Sequence, residues 1–148
     1  MKRKILHVIS GLGDGGAEGV LYRLIKDQDD LHEHHVLSLT DFGKYGDALR
    51  SAGVNVRALG LCRKKIKLSK LIELIKVIKA LEPDLIQTWM YHADLIGGSA
   101  AKLLRNPNIV WNIRHSDLIP GEDNRLTIII ARISAFFSYF VPKKIVCC

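Results

Sequence analysis

Residues 4–18 read Lys4-Ile5-Leu6-His7-Val8-Ile9-Ser10-Gly11-Leu12-Gly13-Asp14-Gly15-Gly16-Ala17-Glu18. The apolar run Lys4–Ile9 is short and does not alternate, which suits a strand buried on both faces in a parallel sheet. It ends in glycines. Beyond them, Ala17–Lys26 places Val20, Leu21, Leu24 and Ile25 at helical spacing. Gly11, Gly13 and Gly16 fit the pattern G-x-G-x-x-G between strand and helix. Glycines let a diphosphate come close to the backbone, and the unpaired N–H groups at a helix start favour an anion. A flexible turn with no ligand is the plainer alternative, and the strand-to-helix context favours phosphate. No Gly-Lys-Ser/Thr follows, so the loop is not that of a P-loop NTPase. Asp41 stands where a dinucleotide-binding domain holds a ribose, although later than usual. Asp14 and Glu18 would repel a pyrophosphate. Glu18 is explained by the helix dipole, Asp14 only as a turn residue.

The pattern of strand then helix repeats along the chain. Strands are expected at Val36–Leu39, Val54–Ala58, Asp84–Thr88, Asn108–Arg114 and Lys143–Cys147. Helices are expected at Tyr45–Ala52, closed by Gly53, at Leu68–Leu81, stopped by Pro83, at Ala93–Leu104 and at Arg125–Phe140. Alternation of this kind implies right-handed βαβ units, hence an α/β, Rossmann-like doubly wound domain with a mainly parallel sheet of about six strands. The chain stops at the last strand with no helix to cover that face, which suggests one domain of a longer protein. Ligands in such sheets sit beyond the carboxyl ends of the strands, where strand order reverses. That directs attention to Ser10–Glu18, Asp41–Gly46, Trp89–Asp94 and His115–Asp123.

The 148 residues carry 22 basic and 15 acidic side chains, a net charge of +7, with 48% hydrophobic residues. This is a soluble globular balance, and it excludes disorder, collagen and coiled coil. Three cysteines without C-x-x-C spacing point to reduced thiols, not to zinc or a disulfide scaffold. Residues 63–79 hold Arg63, Lys64, Lys65, Lys67, Lys70, Lys76 and Lys79 against the single acid Glu73, so nearly all the net charge lies in one helix and its leading loop. A solvated lysine face and a surface for anionic lipid are the two readings, and the lipid reading is preferred at about 1 kcal/mol per lysine. Nucleic acid is disfavoured because no aromatic residues are interleaved for stacking. Leu126–Val141 is apolar on most sides and is expected to be buried between the sheet and a partner domain, with a second membrane-facing element as the alternative. His32, His34 and His35 are expected before the second strand, solvated and inert, although His32 and His34 share a face that a metal would suit. Trp89 and Trp111 are expected in the core or cleft wall. Tyr45 either borders the cleft or packs its loop. Glu122 and Asp123 follow Pro-Gly and read as a solvated turn.

The segments HVISGLGDGGAEGVLYRLI (7–25), QTWMYHADLIGG (87–98), NIRHSD (112–117) and VPKKIVCC (141–148) together resemble the amino-terminal, acceptor-side domain of the retaining GT-B glycosyltransferases of family 4. The likeness is nearest to bacterial enzymes of surface polysaccharide and lipopolysaccharide. It implies a second, donor-binding domain beyond this chain, without which the chain is inactive. It also implies a nucleotide-sugar donor as substrate, no metal and no cofactor, and transfer by front-face attack within an ion pair. By the same resemblance, Gly15 and Gly16 lie against the donor diphosphate and His115 touches the donor sugar as the catalytic residue. Tyr91 and His92, in the loop after the fourth strand, with Arg114 and Glu18, lie on the acceptor side. Arg114 would attract an acceptor phosphate or pair with Asp117. Arg63, Lys64, Lys65, Lys67 and Lys70 are the expected membrane contacts, at the inner face of the cell membrane. The acceptor is a lipid-linked glycan or polysaccharide. Two other readings remain open: a dinucleotide-dependent oxidoreductase domain, carried by G-x-G-x-x-G and Asp41, and a non-catalytic membrane adaptor, carried by the basic segment.

Overall fold

A computed structural model describes residues 2–27, 31–62, 67–106, 108–113 and 125–147, Arg125 by its backbone alone. The elements follow in strict alternation: β1 (Arg3–Ile9), α1 (Gly16–Asp27), β2 (His32–Ser38), α2 (Gly43–Ser51), β3 (Asn55–Ala58), α3 (Leu68–Leu81), β4 (Leu85–Trp89), α4 (Tyr91–Leu103), β5 (Ile109–Ile113), α5 (Arg125–Phe137) and β6 (Lys144–Cys147). The six strands form one sheet in the order β3-β2-β1-β4-β5-β6, and every adjacent pair is parallel. Strand order reverses between β1 and β4, so the loops leaving those two strands turn to opposite sides and open a crevice between them.

The central strands β1, β4 and β5 bury residues on both faces, whereas β6 at the edge is exposed along its length. Leu6, Val8, Leu37, Ile86, Ile109 and Trp111 pack under α3 and α4 through Leu74, Ile78, Ala93, Ala100 and Ala101. Ile9, Val36, Val56 and Trp89 pack on the other side with Leu21 and Ile25 of α1 and Leu49 of α2. This is why the strands read as continuous apolar runs. Both tryptophans are core residues, as expected, each only 1% exposed. The helix stops are local chemistry. Gly53 takes a φ of +81° after α2 and donates its N–H to the Arg50 carbonyl at 2.9 Å. Glu82 takes the left-handed conformation just before Pro83 and closes α3 onto the Ile78 carbonyl at 3.1 Å.

Three boundaries correct the sequence reading. β2 starts at His32, so His32, His34 and His35 lie inside the strand and not before it. Propensity favoured the aliphatic end, Val36–Leu39, but pairing with β1 from Arg3↔His32 onward extends the strand. α4 starts at Tyr91, so Tyr91 and His92 form a helix's first turn and not a loop. α5 ends at Phe137, and the residues to Phe140 continue as turns. The expected burial of 126–141 holds on one side only. Ala131, Ser134 and Val141 are buried, and α5 packs against α4. Ile129, Ile133, Phe136 and Phe140 stand exposed, Phe136 by 64%.

Candidate functional site

The glycine loop leaves β1 at the point of strand reversal and is held from outside by the β2–α2 connection. The Thr40 hydroxyl and backbone N–H both donate to the Ser10 carbonyl, at 2.9 and 3.2 Å. A side chain at Gly11 would strike the Thr40 hydroxyl, 2.8 Å from its Cβ position. Further along, the Tyr45 N–H donates to the Leu12 carbonyl at 3.0 Å. Gly43, with φ +45°, packs so closely on that carbonyl that no Cβ fits. Asp14, which the sequence explained only as a turn residue, pairs with Lys44 at 3.0 Å. That hydrogen bond, and then the carboxylate's charge, raises the Lys44 ammonium above its ordinary range. The pair is solvent-exposed, so water and salt screen it. Its effect is to turn one of the two loop carboxylates away as a neutralised group. Glu18 folds its carboxylate back over Gly15, in the first turn of α1.

Gly15 and Gly16 stay exposed at the tip. α1 begins at Gly16, and its first helical hydrogen bond runs from the Gly19 N–H to the Gly15 carbonyl at 3.1 Å. The N–H groups ahead of Gly19 therefore have no helical acceptor and sit where the helix dipole is positive. A Cβ on Gly16 would meet nothing within 4 Å, so the space outside this backbone is open. Asp41 is exposed beyond the end of β2.

Across the reversal point, β4 delivers Thr88, Trp89 and Met90. Met90 has φ +71°, uncommon for a residue with a side chain, and forms the N-cap of α4. Tyr91 and His92 follow, each half-buried. Asp94, in the same turn, is fully buried. Its Oδ1 accepts the Thr88 hydroxyl at 2.6 Å, while Oδ2 is buried without a partner. Burial pushes the Asp94 carboxyl up to about 7, against the opposing pull of the Thr88 bond. Sequence reasoning missed Asp94. Its signal was an acid inside the apolar, small-residue run Ala93–Ala101 that packs on the sheet. Sequence reasoning also missed His7, which is 1% exposed in mid-strand with its pKa held down to about 3, first by burial and then by His34. The expected solvation of the histidine cluster fails at His34, whose Nδ1 lies 2.9 Å from His7 Nε2. Among the described residues no group of three or more histidine, cysteine or acidic side chains is placed to hold a metal.

The structure thus brings Gly15, Gly16 and Glu18 together at the end of β1, with Tyr91 and His92 at the end of the adjacent β4. β5, the next strand, is described to Ile113. His115, Arg114, Asp117, Glu122 and Asp123 lie outside the described residues, as do Arg63, Lys64 and Lys65. Lys67 is exposed, whereas Lys70 is half-buried and pairs with Glu73 at 2.9 Å. Arg57 bonds the other oxygen of that carboxylate at 3.2 Å.

A glycine loop and a helix start at the reversal point of a doubly wound sheet fit several nucleotide-using families. The sequence decides among them: the chain matches Glycosyltransferase Family 4 over residues 14–148. It belongs to that family. The family 4 domain is similar in fold to Alr3699/HepE of Anabaena, whose crystal structure holds UDP and glucose, with 21% identity and a TM-score of 0.72 over 97% of this chain and 37% of that one. It is also similar to MurG of Acinetobacter baumannii, with 15% identity and a TM-score of 0.67 over 99% of this chain and 41% of that one. UDP-GlcNAc 2-epimerase of Methanocaldococcus jannaschii matches with 14% identity and a TM-score of 0.55, over 90% of this chain and 37% of that one. The family 4 chain therefore spans about two fifths of these structures, and its Rossmann-like sheet is that of the amino-terminal half of a GT-B fold. No curated protein matches it. Among its described residues no helix is long and apolar enough to cross a membrane.

Proposed function

We propose that this domain is the acceptor-side half of a glycosyltransferase. It moves a sugar from a nucleotide-sugar donor, with retention of configuration, to a lipid-linked or polysaccharide acceptor. The observation that carries the reading is the open helix start at Gly16, placed at the strand reversal of a family 4 domain. Departure of a nucleoside diphosphate demands stabilisation of developing negative charge more than a strong base, and oriented N–H groups supply that without a metal. His115 would donate a hydrogen bond to the sugar or phosphate in the reacting complex. Tyr91, His92 and Arg114 would line the acceptor side, next to Glu18. Catalysis requires a donor-binding domain outside this chain, and the greater length of the structural relatives is consistent with that. Isolated, the chain is expected to be inactive.

The enzyme works at the inner face of the cell membrane. What supports this is the basic segment Arg63–Lys70 with the exposed Lys76 and Lys79 of α3. Lys70 contributes less than its charge suggests, since Glu73 already balances it.

Gly16→Ala in the complete transferase tests the reading. A methyl group there meets no protein atom, so the fold is unchanged, but it stands where the diphosphate would approach. We expect donor affinity to fall about tenfold, or 1.4 kcal/mol, with the melting temperature unchanged or slightly raised. Unchanged donor affinity would remove the glycine loop from the donor site. Analysis of the anomeric configuration of the product then tests retention separately.

A further inference from the structure

Trp89, His7 and His34 form a hydrogen-bonded chain across three neighbouring strands, β4, β1 and β2. The Trp89 indole Nε1 donates to His7 Nδ1 at 3.3 Å, and His7 Nε2 meets His34 Nδ1 at 2.9 Å. The two imidazoles stack with centroids 5.2 Å apart, and the indole ring lies 6.1 Å from that of His7. An indole nitrogen can only donate. His7 Nδ1 must therefore keep its lone pair, so its proton sits on Nε2 and is donated to His34 Nδ1. His34, neutral in turn, carries its proton on Nε2, an atom that is buried without a partner. One donor-only group thus fixes the tautomer of both histidines. A second proton on His7 would break the bond to Trp89, and one on His34 would set two N–H groups against each other.

We infer that His7 is a positioning residue: by pinning the Trp89 indole it fixes the turn at Met90 and so places Tyr91 and His92 at the mouth of the crevice. Trp89 is the last residue of β4, Met90 sits at φ +71°, and α4 starts at the next residue. A backbone conformation of that kind persists when its surroundings over-determine it. The surroundings of the chain agree with a neutral state. α1 buries Ala17, Gly19, Leu21 and Ile25 and packs Val20, Tyr22 and Leu24 against the same cluster, so its one titratable group on that core is the Tyr22 phenol, and Gln87 is the β4 residue opposite His7. His32 stacks on His34 from the same face of β2, with centroids 6.1 Å apart. His35 and Glu33, on the strand's other face, are bonded to each other at 2.9 Å. Burial and these neighbouring imidazoles lower the pKa of His34 as well. The functional weight of the inference rests on Tyr91 and His92 being acceptor residues, but the device itself does not.

Long-range ¹H–¹⁵N spectra of the histidine rings in the intact chain test it directly. His7 should show a protonated Nε2 and a bare Nδ1, unchanged between pH 8 and pH 5. An Nδ1–H tautomer, or titration near the ordinary histidine value, would overturn the inference. His7→Gln can still accept from the indole and donate to His34. His7→Leu can do neither. We expect the amide resonances of Met90, Tyr91 and His92 to stay in place in His7→Gln and to move in His7→Leu, together with the indole N–H. Loss of the indole hydrogen bond in His7→Leu with no movement of those amides would sink the positioning role. Should His7→Leu not fold, the tautomer and its pH profile in the native chain decide alone. None of these readouts requires sugar transfer, so a failure of the transferase reading leaves a different mark, activity absent with the tautomer intact.

Discussion

Gly43 carries the strictest single-residue constraint around the glycine loop. Its φ of +45° and its contact with the Leu12 carbonyl exclude any side chain. Gly43→Ala should destabilise the domain by about 1–3 kcal/mol in denaturant unfolding, because strain and steric overlap add. Gly16→Ala, in open space, should cost nothing, and Asp14→Asn should leave the unfolding midpoint essentially unchanged because its partner Lys44 is exposed. The contrast separates the glycines the fold needs from those a ligand needs, which the letters alone do not. The sequence reading placed Gly15 and Gly16 at the strand-to-helix turn, where the structure puts the last loop residue and the first residue of α1, and it gave Asp14 no role but a turn. The pairing with Lys44 spans 30 residues and depends on how α2 docks, a tertiary fact with no local signature. Asp94 and His7 escaped for a related reason, since an acid or a histidine within an apolar run signals a polar group near the core but not which distant residue will meet it.

Among the elements, α4 lies tightest against the sheet. A Cβ on Gly97 would come within 2.8 Å of Val8 Cγ1, and one on Gly98 within 2.6 Å of Trp111 Nε1. Gly98→Ala should therefore cost about 1–3 kcal/mol by chemical denaturation, although alanine is the better helix former. The opposite sign would mean that α4 can lift off the sheet cheaply. On α3, the charge reversals Lys76→Glu and Lys79→Glu should leave stability within about 0.5 kcal/mol, as both residues are exposed. They should weaken co-sedimentation with vesicles rich in phosphatidylglycerol, the more so at low salt. Binding that ignores both the charge and the salt would remove α3 from any membrane surface. All eleven elements were legible as elements, because period and glycine punctuation are local properties. The errors sit where tertiary pairing overrules propensity: β2 recruits three histidines because β1 offers them a ladder, and α4 recruits Tyr91 and His92 as soon as Met90 turns the chain.

For the whole molecule, two buried groups tilt stability with pH in opposite directions. The His7 pKa is depressed from 6.5 to about 3. The unfolded chain therefore takes up that proton first, and stability present above pH 6.5 drains away as pH falls toward 3. The Asp94 pKa is raised from 3.8 to about 7, so the folded chain holds its proton longer, and stability present below pH 4 is lost as pH rises to 7. At about 1.4 kcal/mol per tenfold change in proton affinity, each is worth on the order of 4 kcal/mol across its window. Between pH 4 and 6.5 they nearly cancel. Urea unfolding of the unaltered chain should show little contribution from this pair across that range. His7→Gln should expose a decline with rising pH, and Asp94→Asn a rise. Parallel profiles in all three proteins would mean that neither group is buried as described. The sheet order raises a separate matter of timing during synthesis. β1 is the central strand, yet its two partners are made far apart, since β2 ends at Ser38 while β4 is complete only at Trp89. At about 5–20 residues per second, roughly fifty residues take some 3–10 s to translate. Through that interval the nascent chain displays the unpaired flank of β1, an apolar strand open to any other strand that meets it. A ribosome paused before residue 89 would prolong that exposure, and a holding chaperone would have its natural target there.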